Sequence, residues 1–180
     1  MAKWNGIIAV GFSMLFSGCT TSMKIHTDYD SSVRFANLKS YTWMTTYGGG
    51  GSAVGDRRIE ELLENTVPSA VRRLLTAKGY TEESADSADF AIGFEVALKG
   101  MRSTALNKTR GYETSGWEQH PVDYDRGALI LDIADRKTSR LIWRGAAHAK
   151  LHVTETSTKE KEERINEAVE LILDRFPPRE

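Results

Sequence analysis

Hydrophobic and polar positions along the chain change their period several times, and each change marks an element. Ile25, Thr27 and Tyr29 alternate with polar neighbours, Asp30-Ser31-Ser32 breaks the run, and Tyr41-Thr42-Trp43-Met44 is a second β-prone stretch, so two strands are predicted. Gly48-Gly49-Gly50-Gly51-Ser52 follows as a flexible link. From Asp56 to Lys78 the period lengthens. Ile59, Leu62, Leu63, Val67, Ala70, Val71, Leu74 and Leu75 form the stripe of a helix with one buried face, with Gly79 as its stop. Pro68 lies inside the stripe and removes one backbone donor, which predicts a bend, while the unbroken apolar phase predicts a single helix.

The period then returns to two. Phe90, Ile92, Phe94, Val96 and Leu98 place large apolar side chains on one face of a strand. Ala128 to Ala134 and Arg140 to Val153 are two further strands, and the polar Asp135 to Ser139 between them suits a hairpin turn, so the pairing is expected to be antiparallel. The last helix opens at Ser157-Thr158-Lys159-Glu160, a capping-box pattern. It carries Ile165, Ala168, Val169, Ile172 and Phe176 on one side and stops at Pro177-Pro178. The predicted order is ββαβββα. Such an α+β chain is expected to form a two-layer sandwich, an antiparallel sheet of about five strands with both amphipathic helices on one face.

The first 22 residues follow a different logic. Lys3 precedes an apolar run from Ile7 to Phe16, the length of a signal-peptide core and too short for a bilayer, which needs about 20 apolar residues. The run ends in Leu15-Phe16-Ser17-Gly18-Cys19, which resembles the lipobox of bacterial lipoproteins, with Phe16 where that motif usually has Leu, Val or Ile. The resemblance implies acylation of Cys19 and cleavage of the peptide bond before it. Thr20, standing where an aspartate retains Gram-negative lipoproteins at the inner membrane, implies the outer membrane, with the domain facing the periplasm. The expected division is a leader over 1–18, a lipidated N-terminus and tether over 19–22, and one domain over 23–180.

Composition narrows the function classes. The chain has 180 residues and a single cysteine, so no intramolecular disulfide can form and a cysteine-based zinc site lacks its ligands. Lys and Arg (24) nearly balance Asp and Glu (25), leaving no net field to draw in nucleic acid. The glycine run lacks the Gly-Lys-Ser/Thr ending of a phosphate loop, and no Gly-x-Ser-x-Gly elbow is present. His148 and His152 fall on a predicted strand, where four positions span roughly 13 Å, too far to share an ion. Asp28 and Asp30 share a strand face without a calcium loop around them. No metal and no cofactor are therefore expected, and Tyr41, Trp43 and Trp143 are read as core or sheet-edge aromatics.

Gly100 to Arg126 is too long for a turn. Its Arg110, Tyr112, Trp117 and His120 are an aromatic and cationic mixture suited to a partner protein or glycan. The plainer reading is a hairpin tip with aromatics tucked onto the sheet.

The chain as a whole resembles a family of bacterial envelope lipoproteins known as domain of unknown function 4136. The matching residues are Asp28-Tyr29-Asp30, Phe35, Tyr41-Thr42-Trp43, Leu74, Lys78-Gly79-Tyr80, Asp89-Phe90, Gly127 to Ile133, Leu141-Ile142-Trp143-Arg144-Gly145 and Phe176-Pro177-Pro178. The resemblance implies a lipidated α+β domain of the envelope and offers no catalytic residues. The reading is a lipid-anchored, non-enzymatic domain that binds, scaffolds or assists envelope assembly. Its rival, a cell-wall hydrolase or metal-dependent enzyme of the periplasm, needs a His/Asp/Glu cluster that linear spacing does not show.

Overall fold

The computed structural model describes residues 23–44, 57–97, 127–149 and 157–178. The leader with Cys19, the glycine run, Leu98, the 100–126 segment with Arg110, Tyr112, Trp117 and His120, and His152 lie outside the described residues.

Six strands form one sheet: β1 (Lys24–Tyr29), β2 (Ser40–Trp43), β3 (Thr81–Glu82), β4 (Phe90–Ala97), β5 (Gly127–Asp135) and β6 (Leu141–Ala149), in the order β1-β6-β5-β4-β2-β3. Helices α1 (Arg57–Ala77) and α2 (Thr158–Leu173) pack against each other, and both contribute to one hydrophobic core against the sheet. The α+β class and the shared helix face are as the periodicity implies. The sheet departs from the five-stranded antiparallel expectation in two ways. β2 runs parallel to β4, with α1 as the crossover that a parallel pair requires. β3, two residues long and parallel to β2, makes a sixth strand too short to carry a period.

Periodicity becomes burial along the elements. Val67, Ala70, Val71 and Leu75 of α1 and Ala168, Val169, Ile172 and Leu173 of α2 are buried against Phe90 and Ile92 of β4 and Leu131 and Ile133 of β5. α1 continues through Pro68. It ends in a Schellman motif, in which the Tyr80 N–H donates to the Leu75 carbonyl and the Gly79 N–H to the Thr76 carbonyl, both at 3.0 Å. Gly79 takes φ +89°, a backbone state in which a side chain would be strained.

At the start of α2, Ser157 and Glu160 form the reciprocal capping box that their spacing predicts. α2 itself stops at Leu173, three residues earlier than the apolar stripe implies. Phe176 lies beyond the helix, fully buried, with its ring 5.3 Å from that of Trp143, 5.6 Å from Tyr80 and 5.7 Å from Phe90. The helix ends so that this ring can turn into the aromatic centre of the core.

The parallel pair is locked at its start by a side chain. Asp89 Oδ2 accepts the backbone N–H groups of Lys39 (2.8 Å) and Ser40 (3.1 Å), while the Asp89 N–H donates to the Ser40 carbonyl. The bond from Lys39 above all, with those from Ser40, holds the Asp89 carboxyl below its ordinary value. A lowered native pKa means that the ionised carboxylate stabilises the fold above about pH 4, and that this contribution is lost as the pH falls through the native value. Asp89→Ala is expected to cost roughly 1–2 kcal/mol at neutral pH. The gap between wild type and variant should narrow on acidification, measured by urea melts at pH 7 and pH 3. A gap that holds constant across that range would mean that the carboxylate charge is not involved.

Candidate functional site on the sheet face opposite α1 and α2

Alternation along the strands sends a second set of side chains to the sheet face opposite the helices. The register sets them in rows across the sheet. Asp28 (β1) faces Arg144 (β6), which faces Asp132 (β5); His26 faces Ala146, which faces Ile130 and then Glu95 (β4); Lys24 faces His148, which faces Ala128. Ala128, Ile130, Ala134 and Ala146 on this face are buried.

The strongest polar contact of this face is bidentate. Arg144 Nε donates to Asp132 Oδ1 at 2.7 Å and Arg144 Nη2 to Asp132 Oδ2 at 2.9 Å, with the Asp132 side chain 3% exposed and that of Arg144 14%. A planar fork matched to a carboxylate is the geometry that best offsets the cost of burying both charges. At the β1–β6 edge the His26 and His148 rings meet edge to face, centroids 5.1 Å apart and planes at 88°. Burial first, then the nearby His26 and Lys24, hold the His148 imidazole below its ordinary value, which favours its neutral form.

Across the sheet, Arg72 Nε binds Glu82 Oε2 at 2.8 Å, and the Tyr41 hydroxyl donates to the same oxygen at 3.3 Å. Burial, with Glu82 beside it, pushes the Tyr41 phenol up to about 12, so it stays protonated at neutral pH. A groove of about 470 Å³ lies beside the β1–β2 connection, lined by Tyr29, Arg34, Phe35, Asn37 and Pro178.

The residues singled out from the sequence are placed as follows. Tyr41 and Trp143 are fully buried in the core and Trp43 packs half-buried beside them. Asp28 sits in β1, whereas Asp30 follows the strand and accepts both the N–H (2.9 Å) and the hydroxyl (2.6 Å) of Ser32. Asp30 is therefore a turn residue. His148 lies on β6, as read. Among the described residues no three or more His, Cys, Asp or Glu side chains gather as metal ligands.

Sequence reasoning missed the Asp132–Arg144 pair and the meeting of His26 with His148. The first was within reach, because a hairpin turn centred near residue 138 pairs positions equidistant from it. The second was not, since nothing local says that β1 crosses to the far edge and pairs with β6.

The domain model for "Domain of unknown function (DUF4136)" matches residues 25–178. The chain belongs to the DUF4136 family. Its sheet and helices are similar to those of a DUF4136 family protein from Bacteroides thetaiotaomicron VPI-5482, at 14% identity and a TM-score of 0.57, covering 86% of this chain and 96% of that one. A PDZ domain protein from Parabacteroides distasonis ATCC 8503 is similar at 20% identity and a TM-score of 0.53, covering 89% of this chain. The chain spans 38% of that protein's length. At these identities the likeness is one of fold. No curated protein matches the chain.

Proposed function

We propose that this DUF4136 domain is a lipid-anchored, non-enzymatic component of the bacterial envelope, held at the outer membrane by acyl chains on Cys19 and facing the periplasm. There it acts by binding, scaffolding or assisting assembly. The observation that carries the reading is the apolar run Ile7 to Phe16 ending at Cys19, the single cysteine of the chain. Each buried CH₂ of an acyl chain contributes about 0.8 kcal/mol, so several chains on one cysteine hold a domain firmly.

The arrangement of polar groups favours binding over catalysis. Asp132 and Arg144 occupy each other, Asp89 is spent on two backbone donors, and Tyr41 is held protonated. The 100–126 segment, with Arg110, Tyr112, Trp117 and His120, is the contact region for an envelope protein or a glycan in this reading.

Cys19→Ala tests the anchor. The variant is expected to lose lipid and leave the membrane fraction, followed by fractionation and intact-mass analysis of the mature N-terminus. An unmodified cysteine in the wild-type protein would overturn the lipoprotein reading.

A further inference from the structure

We propose that His26 and His148 together bind a divalent late first-row metal ion, Cu²⁺ above Zn²⁺, at the β1–β6 edge of the sheet face opposite α1 and α2. The register creates the pair: His26 faces Ala146 and His148 faces Lys24, so the two histidines are diagonal neighbours on one face, within reach of each other. Their ring centroids are 5.1 Å apart. Two imidazoles on one tetrahedral ion, each with a metal–nitrogen bond of about 2.0–2.1 Å, place their centroids about 5 Å apart. The sheet therefore holds the two rings at chelating distance, and turning the exposed His26 out of its edge-to-face position would bring a nitrogen of each to one ion.

The residues directly across from the two rings on the inner side, Ala146 opposite His26 and Ala128 opposite His148, carry only methyl groups. His26 is exposed and His148 half-buried, so one ligand is held by the sheet while the other can adjust. Imidazole nitrogen suits copper, nickel and zinc, and the stability order of divalent ions puts Cu²⁺ first. Two protein ligands leave the remaining positions to water or to a donor brought by a bound partner. Lys24, across from His148, opposes a cation electrostatically, but its long exposed side chain can move into water. Asp28, two residues along β1 from His26, supplies opposite charge on the same face.

The test is calorimetric titration of CuCl₂ and ZnCl₂ into the full-length protein in detergent, with thermal melts in EDTA to compare folds. The wild type is expected to bind Cu²⁺ more tightly than Zn²⁺. His26→Ala and His148→Ala should each weaken Cu²⁺ binding roughly tenfold or more, with the double variant little weaker than either, because a chelate fails when one arm is removed. Lys24→Ala should tighten it, which a purely structural role for the histidines would not produce. His120→Ala and His152→Ala should leave it unchanged. If His148→Ala melts early, the exposed His26→Ala decides. Wild-type Cu²⁺ affinity in His26→Ala, or its loss in His152→Ala, overturns the proposal.

Discussion

Gly145→Ala is expected to destabilise the domain by about 3 kcal/mol, near the upper end for overpacking a core. Gly145 lies on β6 beneath α2, and an added methyl group would stand 2.5 Å from Ile172 Cγ2 and closer still to the ring of Trp143. Both neighbours are fully buried and cannot retreat without displacing Phe176 or the helix. The missing side chain at 145 is what lets Trp143, two residues earlier on the same face, lie along the strand under α2. Ile172→Ala in the Gly145→Ala background should recover part of the loss, although alone it costs about 2–5 kcal/mol by leaving a cavity. Urea melts of the two single variants and the double give the coupling. Strict additivity would show that the collision is relieved elsewhere.

Asp132→Ala carries the second large expected effect, about 3–5 kcal/mol, because it leaves the Arg144 guanidinium in a largely buried position without its carboxylate. Arg144→Met should cost a similar amount. The double change Asp132→Leu with Arg144→Met should lie well above either single variant in stability and could approach wild type, since a buried ion pair is often matched by packed apolar groups of similar volume. If the double variant were as unstable as the sum of its parts, the pair would be serving something beyond charge compensation. The same series measured for partner binding would then be informative, because Asp132 and Arg144 stand in the centre of the sheet face opposite α1 and α2.

Much of this architecture was legible in the linear pattern because it depends on period and on local chemistry. The α1 stripe, the alternation of Phe90, Ile92, Phe94 and Val96, the Ser157/Glu160 capping box and the Gly79 stop are set by neighbours two to five positions away, and each is present as read. The β5–β6 hairpin follows from its polar turn, where Asp135 Oδ1 accepts the Thr138 N–H at 2.7 Å. Phe176 shows where period misleads: it continues the apolar phase of α2 yet lies three residues beyond the helix, because packing against Trp143, Tyr80 and Phe90 outweighs one more helical turn.

The sequence by itself determined the α+β class, the amphipathic faces and the candidate anchor at Cys19, since these rest on the spacing of apolar residues and on one cysteine at the end of an apolar run. Only the tertiary structure decided strand order. The parallel β2–β4 pair, the extra strand β3, the lock from Asp89 to Lys39 and the passage of β1 to the far edge beside β6 all join residues distant in the chain. Periodicity says which face a side chain occupies but not which strand lies next to it. The meeting of His26 with His148 depends wholly on that neighbour, so its chemistry became visible only with the sheet assembled.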